Sequence, residues 1–205
     1  GVAKHLQFKN DLRTQSYELT PYDETLLLDS DYIIANSLFK HCFEQDHDFL
    51  IFKNAIDLTA WRNTDEFQKI SDASVDFYWA TVIFFRKSEE NKIFFDLTKH
   101  IHENWDHYNS IFQVTRGTFR NDHVFSVAIH IMNGYQSGDF ARKLPGKKYY
   151  TADRDILWDL KDDNFLFLLE KENHLGEYTP LRIKGSNVHV MNKFSLNRII
   201  DRGDV

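Results

Sequence analysis

The feature that most constrains the fold is a run of twelve residues from Val75 to Arg86, which reads VDFYWATVIFFR. It combines aromatic and β-branched side chains with almost no polar break, which is typical of a strand covered on both faces of a sheet. Such a strand is stable only when other elements pack against both faces. The sequence therefore predicts an internal strand here, with helices or a second sheet around it.

A helix is predicted directly after this strand. Ser88 offers an oxygen that can cap the first turn, and Glu89 and Glu90 place negative charge where the helix dipole favours it. The helix is expected to continue to about Tyr108, because apolar residues recur at helical spacing. These residues are Ile93, Phe94, Leu97, Ile101 and Trp105.

A second helix is predicted over residues 121–133, with Gly134 as its stop. Short strands are predicted over residues 48–53, 147–151, 165–170, 179–184 and 187–191. Strands that alternate with helices and become more frequent toward the C-terminus indicate an α/β domain with a mixed sheet. No repeat, low-complexity tract or linker divides the chain, so residues 1–205 are predicted to form a single domain.

Charge and apolar content argue against several classes of protein. The chain has 25 Lys and Arg against 31 Asp and Glu, a net charge of -6, and no long basic run, so no nucleic-acid-binding patch is evident. No apolar run reaches the roughly 18 residues needed to cross a bilayer, so no membrane span is expected. Cys42 is the only cysteine and cannot form an internal disulfide. Since no signal-peptide core is visible either, a cytoplasmic protein is expected.

Two carboxylates interrupt another apolar segment, which runs from Thr25 to Ala35 as TLLLDSDYIIA. Asp29 and Asp31 are two residues apart, the side-chain period of a strand, so both are expected to point to the same side. Paired carboxylates repel one another unless a cation joins them, and hard oxygen ligands suit Mn²⁺ or Mg²⁺. The pair predicts a metal site at the rim of the sheet. Solvated aspartates at a polar strand end fit the bare triplet equally well.

The residues around this pair resemble a known family. The stretch from Thr20 to Leu38, TPYDETLLLDSDYIIANSL, is similar to the acidic motif of the family 8 glycosyltransferases, which have the GT-A fold. In that family a Pro-aromatic turn, here Pro21-Tyr22, introduces a strand, Asp-x-Asp, two apolar residues and Asn or Asp, here Asn36. The resemblance implies a GT-A-like three-layer α/β domain with a mixed central sheet. It also implies that both aspartates bind a divalent metal and the diphosphate of a nucleotide sugar.

Two later segments resemble the family's donor-sugar site. Residues 77–88 are similar to its sugar-site strand, in which Trp79 either lines the donor pocket or belongs to the core. Arg120-Asn121-Asp122 opens a helix and resembles the acidic element that contacts the donor sugar, although Asp122 also suits a helix cap. The resemblance implies that Asp122, with Asn121 or Arg120, holds the sugar hydroxyls and orients the anomeric carbon.

A third segment, from Val188 to Lys193, resembles the family's C-terminal His-x-x-x-Lys region. It implies His189 as the third metal ligand and Lys193 as a contact to the diphosphate, whereas His189 alone would fit a structural histidine equally well. The whole resemblance covers roughly Tyr17 to Asp201. It implies Mn²⁺ or Mg²⁺ as the metal and a nucleoside-diphosphate sugar, first among them a UDP-sugar, as the donor, and it leaves the acceptor open.

The chain departs from the family in two places. Trp79-Ala80-Thr81 stands where the family usually has a small Asn-Ala/Ser-Gly triplet, so the donor sugar is not implied. Only 28 residues precede Asp29, whereas the family has a longer βαβ nucleotide-binding half there, so most of that half is expected to be missing. An open sheet edge in a domain shortened in this way would favour a homodimer.

Two other functions are weighed against the transferase. One is a phosphatase of the haloacid-dehalogenase type, with Asp29 as the nucleophile, since its first motif is also an apolar strand ending in Asp-x-Asp. Here, however, Tyr32-Ile33 stands where that family prefers a Gly-Thr pair, and Asp162-Asp163 precedes a strand where an acidic pair should follow one. The other is a non-catalytic binding relative of the transferase scaffold, which the missing half favours.

Overall fold

The structure is a computed structural model that describes residues 11–59, 62–63, 68–70, 75–114, 119–172 and 174–203. The chain divides into two compact units, each built from three separate segments. Unit 1 comprises Gly1–Leu27, His47–Ile51 and Lys69–Arg142, and unit 2 comprises Leu28–Asp46, Phe52–Gln68 and Lys143–Val205. The prediction of a single domain stays a prediction.

The described residues form short strands and five α-helices. The strands are β1 (Glu24–Leu28), β2 (Tyr32–Ile33), β3 (Phe49–Phe52), β4 (Ala55–Asp57), β5 (Arg62–Asn63), β6 (Trp79–Arg86), β7 (Arg142–Lys143), β8 (Lys148–Tyr150), β9 (Leu157–Lys161), β10 (Asn164–Glu170), β11 (Tyr178–Lys184) and β12 (Val188–His189). The α-helices are α1 (Ser16–Leu19), α2 (Glu89–Glu103), α3 (Trp105–Ile111), α4 (Asn121–Met132) and α5 (Lys193–Arg202), and 3₁₀ turns cover Asp11–Gln15 and Leu38–Cys42. None of the helices in the described ranges is both long and apolar enough to cross a bilayer.

Unit 1 contains the predicted internal strand. β6 lies inside a four-stranded sheet of order β1-β6-β3-β7, and its residues from Trp79 to Phe85 are all buried. α2 begins after Ser88, whose hydroxyl accepts a hydrogen bond from the backbone N–H of Asn91 at 3.3 Å. α2 and α4 pack together through aromatic rings, as the 5.8 Å between the centroids of Phe94 and Phe125 shows. Burial on both faces explains why β6 has no polar alternation.

The helix predicted to run to Tyr108 is interrupted. α2 ends at Glu103, and the next residue, Asn104, leaves the helical conformation before α3 begins at Trp105. The side-chain amide of Asn104 donates to the carbonyl of His100 at 2.8 Å, so it caps the end of α2 and competes with a continuous helix. The prediction for residues 121–133 is confirmed, with Gly134 in a left-handed conformation (φ 68°) after α4.

Unit 2 contains a mixed sheet of order β2-β12-β8-β4-β5 and an antiparallel sheet of order β11-β10-β9. In the mixed sheet β8 runs parallel to β12 and β4, while β2 and β5 pair antiparallel to their neighbours. The buried core includes Leu157, Phe165, Phe167, Val188 and Ile199. The chain is thus a mixed α/β protein with mixed sheets, as the sequence predicts.

The segment from Thr25 to Ala35 is two strands rather than one. β1 ends at Leu28 and joins the four-stranded sheet, whereas β2 begins at Tyr32 and joins the mixed sheet. Asp29 to Asp31 form the turn between them, closed by a hydrogen bond from the N–H of Tyr32 to the carbonyl of Asp29 at 3.2 Å. The two carboxylates do lie close together, as expected, but a turn rather than the alternation of a strand places them there, because the chain changes sheets at this point.

Candidate metal centre

The turn between β1 and β2 brings its aspartates next to β12. Tyr32 pairs with His189 across the antiparallel ladder between β2 and β12. The N–H of Val190 donates to the carbonyl of Asp31 at 2.9 Å, which extends this pairing into the turn. Main-chain pairing therefore positions a histidine beside an aspartate that precedes it by 158 residues.

Three side chains converge there. Nε2 of His189 lies 3.0 Å from Oδ1 of Asp31 and 3.8 Å from Oδ2 of Asp29. One ligand atom from each residue lies within 4.8 Å of the other two. Over the described ranges this is the one group of three or more acidic, histidine or cysteine residues that meets this test. We refer to Asp29, Asp31 and His189 as the acidic cluster.

Lys193 completes the surroundings of the acidic cluster. Its Nζ lies 2.5 Å from Oδ2 of Asp31, and its side chain is 65% exposed, against 14% for Asp31. It is the first residue of α5, which begins after Asn192, whose side chain accepts a hydrogen bond from the N–H of Ser195 at 3.0 Å. The helix start thus fixes the backbone of Lys193 beside the cluster, while its ammonium group stays accessible to solvent.

The pKa of Asp31 is held well below its ordinary value. Burial alone would raise this pKa, since it disfavours the charged carboxylate. Hydrogen bonds from His189 and Lys193, and the charges of the same two residues, outweigh burial and lower it. Asp31 is therefore a carboxylate at every pH at which the protein would be expected to work, as metal binding requires.

A buried lysine also contacts His189. Nζ of Lys148, in β8, lies 3.4 Å from Nδ1 of His189, and its residue has no exposed surface. A metal bound through Nε2 would need the lone pair of that nitrogen, so the ring proton would then be on Nδ1, next to Lys148.

The acidic cluster fits a small divalent cation. Ligand atoms about 2.1 Å from an octahedral ion are separated by about 3.0 Å when adjacent and about 4.2 Å when opposite. The separations of 3.0 and 3.8 Å from His189 to the two aspartates fall in that range. Carboxylate oxygens are preferred ligands of Mg²⁺ and Mn²⁺, and imidazole nitrogens bind transition metals. The three side chains could therefore hold a divalent cation and leave positions for water or phosphate oxygens.

The remaining predicted site residues form a separate set in unit 1. Oδ1 of Asp122 accepts a hydrogen bond from the N–H of Ala80 at 2.7 Å, and Oδ2 accepts one from Nε of Arg120 at 2.9 Å. The guanidinium of Arg120 lies 5.7 Å from the ring centroid of Trp79. Asn121 and Trp79 are both buried. Asp122 thereby ties the start of α4 to β6, and the predicted contacts of this set with a sugar stay predictions.

Two residues next to the acidic cluster were not identified from the sequence. Lys148 is one. The sequence indicates only that Lys148 and Tyr150, two residues apart, lie on the same face of β8, and Tyr150 pairs with His189. Tyr32 is the other, with its ring centroid 6.2 Å from that of His189. Its buried hydroxyl has no hydrogen-bond partner in the described part of the chain, an arrangement that costs about 1–3 kcal/mol. Only the pairing of β2 with β12 brings Tyr32 to this place.

Comparisons of the chain with protein-family models, curated proteins and solved structures found no match of any kind. The resemblance to family 8 glycosyltransferases therefore rests on the sequence motifs quoted above alone.

Proposed function

We propose that this protein is a divalent-metal-dependent glycosyltransferase that uses a nucleoside-diphosphate sugar, with a UDP-sugar as the first candidate donor. One observation carries the proposal: the acidic cluster and Lys193 lie together although 158 and 162 residues separate Asp31 from His189 and Lys193. The family resemblance implies a role at one site for these four residues from the sequence alone. If His189 were only structural and the aspartates only solvated, their side chains would have no reason to lie next to one another.

The residues of the acidic cluster would hold Mn²⁺ or Mg²⁺ between them. Such an ion, when bound, neutralises the negative charge that develops on the leaving diphosphate. Asp31 and Asp29 would supply two negative charges for a divalent ion, and His189 would supply the lone pair of Nε2, with the ring proton on Nδ1. The chain thereby offers a charge-balanced site, in which the carboxylates no longer repel one another.

Lys193 would contact the diphosphate directly. Its ammonium group now neutralises Asp31, but the group is 65% exposed and belongs to a flexible side chain. Once a cation occupies the cluster, Lys193 is repelled from it and is free to turn toward a phosphate oxygen. A positive charge placed there stabilises the developing charge of the leaving group.

The set formed by Trp79, Arg120, Asn121 and Asp122 is proposed as the donor-sugar contact only on the resemblance. Both carboxylate oxygens of Asp122 already accept hydrogen bonds from Ala80 and Arg120. A direct contact with a sugar hydroxyl would use a second lone pair of one of these oxygens. The metal and diphosphate roles do not depend on this contact.

The test is calorimetric titration of UDP, UDP-glucose and GDP-mannose into the protein, with Mn²⁺ or with EDTA. We expect Mn²⁺ to strengthen the binding of UDP and UDP-glucose, and this strengthening to be lost in Asp31→Asn. The matched control is Asp162→Asn, which removes an exposed carboxylate at the turn between β9 and β10. Absence of nucleotide binding under every condition would refute the proposal and favour a non-catalytic protein. Hydrolysis of p-nitrophenyl phosphate that is lost in Asp29→Asn would favour the phosphatase instead.

A further inference from the structure

A cleft of about 200 Å³ opens in unit 2 at the end of the mixed sheet opposite the acidic cluster. The cluster lies where β8 and β12 end, because His189 is the last residue of β12. The cleft lies where these strands begin, since Lys147 and Asn187 directly precede them and both line it. It is therefore a separate site, and one residue, Tyr32, belongs to the surroundings of both.

The walls of the cleft are largely aromatic. Tyr32, Phe39, Phe52 and Tyr149 line it, with the rings of Tyr32 and Phe39 6.0 Å apart and those of Phe39 and Phe52 6.4 Å apart. Gly146 forms part of the wall with φ 83°, and a Cβ there would overlap the side chain of Leu38. Aromatic walls around a narrow space suit a flat ring rather than a flexible chain.

The polar groups of the cleft that have no partner among the described residues are mainly hydrogen-bond donors. The side-chain oxygen of Asn187 accepts from the N–H of Ala35 at 2.9 Å, whereas its amide N–H₂ donates to none of the described residues. Lys147 is exposed and has no ion pair with the residues that the structure describes. No carboxylate is among the described residues that line the cleft. A ligand rich in acceptors and carrying negative charge would satisfy these groups.

Tyr32 is the residue of the cleft whose buried polar group has no partner among the described residues. It is 8% exposed and lines the cleft, and its hydroxyl has no hydrogen-bond partner in the described ranges. Buried hydroxyls are nearly always paired, and this one belongs to a residue that lines the cleft, so a ligand bound in the cleft is a candidate partner for it. Burial also raises the pKa of Tyr32, so the group stays a neutral hydroxyl.

We propose that this cleft binds a planar ring compound with an anionic substituent, stacked on the aromatic walls and held by Tyr32, Asn187 and Lys147. Nucleotides and aromatic carboxylates both have this chemistry. The site goes beyond the proposed transferase activity and does not depend on it, because none of these three residues belongs to the acidic cluster.

The test is titration of uridine monophosphate and 4-hydroxybenzoate in EDTA, with uridine and phenol as uncharged counterparts. We expect at least one anionic ring to bind, and its uncharged counterpart to bind roughly tenfold more weakly. Lys147→Glu should weaken binding roughly tenfold, since repulsion replaces attraction. Asp31→Asn should leave it unchanged, which separates this site from the metal site. Binding of uridine monophosphate alone would identify a nucleotide site, and binding of 4-hydroxybenzoate alone an aromatic-acid site.

Tyr32→Phe gives a second, independent readout. Because the hydroxyl has no described partner, the variant should be as stable as the wild type or more stable when no ligand is present. The same variant should bind the anionic ring several-fold more weakly, about threefold to tenfold. Tyr17→Phe is the matched control for stability, since the hydroxyl of Tyr17 donates to the carbonyl of Ser88 at 3.0 Å and its loss should destabilise the protein. Failure of both anionic rings to bind the wild type would overturn the proposal, as would binding that neither Lys147→Glu nor Tyr32→Phe weakens.

Discussion

Asp31 in unit 2 is partly buried and Asp122 in unit 1 is buried. Both oxygens of each carboxylate are hydrogen-bonded, but their partners differ in kind. Asp122 is held by the backbone N–H of Ala80 and by Arg120, only two residues away. Asp31 is held by two side chains, His189 and Lys193, that come from much later in the chain. A side-chain partner can turn away when a cation arrives, whereas a backbone N–H in a strand cannot. The comparison favours Asp31 as a carboxylate that a cation can reach, and Asp122 as a carboxylate that links α4 to β6.

The largest effect on stability is expected for substitution of Asp122. Asp122→Ala would leave the Ala80 N–H without its acceptor and Arg120 without its counter-ion, so we expect a loss of about 3 kcal/mol in the free energy of unfolding. Urea denaturation followed by circular dichroism measures it. Asp96→Ala, which removes an exposed carboxylate from α2, is the control and should stay within about 0.5 kcal/mol of the wild type. An Asp122→Ala protein of unchanged stability would contradict the structural role assigned to Asp122.

The next largest effect is expected on Mn²⁺ binding by the acidic cluster. Asp31→Asn, Asp29→Asn and His189→Gln should each weaken Mn²⁺ binding about 100-fold, because each removes one of three ligands. Calorimetry with Mn²⁺ alone gives the affinities. Asp122→Asn should bind Mn²⁺ like the wild type as long as it is folded. Equal losses in the Asp122 and Asp31 variants would mean that the two carboxylates do not differ as described.

The pH dependence of stability tests the ion pairs of Asp31. The pKa of Asp31 is lowered in the folded state from its ordinary value of 3.8, so its carboxylate stabilises the fold above that value. This contribution is lost as the pH falls below 3.8 and through the lower folded-state pKa. In EDTA, Asp31→Asn should therefore cost about 1–2 kcal/mol at pH 7 and progressively less below pH 3.8. A difference from the wild type that stayed constant down to pH 2 would contradict the ion pairs assigned to Asp31.

The smallest effect is expected for Lys193→Met. Because the lysine is 65% exposed, its loss should change the free energy of unfolding by no more than about 0.5 kcal/mol. Mn²⁺ alone should bind as tightly or more tightly, since the ammonium group competes with the cation for Asp31. The affinity for UDP with Mn²⁺ should fall about fivefold. Weaker binding of Mn²⁺ alone would show that Lys193 supports the metal site instead of competing with it.

Local sequence patterns predicted the elements whose burial is uniform or strongly periodic. β6 is buried from Trp79 to Phe85, α2 has one buried face, and α4 is buried from Asn121 to Ile129, so their apolar residues alone indicated these elements. The C-terminal helix α5 was missed, although Asn192 before it and Gly203 after it are ordinary cap residues. β9 was missed as well, because its residues LWDLK give no clean alternation and its place depends on pairing with β10.

The candidate site was predictable only in part. The acidic pair and the histidine were found from residue type and family resemblance, but their proximity depends on the pairing of β2 with β12, which no local pattern reveals. The break between β1 and β2 was missed because the residues on both sides are equally apolar. Tyr32 and Lys148 could not be assigned because their partners come from other strands of the mixed sheet.

The most direct test of the acidic cluster is anomalous diffraction at the manganese edge from crystals grown with Mn²⁺ and UDP. We expect one strong peak about 2.1–2.3 Å from carboxylate oxygens of Asp29 and Asp31 and from Nε2 of His189. We also expect the UDP diphosphate on the open side of the ion, with Lys193 turned toward it. A peak elsewhere, or density for UDP with no ion between these three residues, would contradict it.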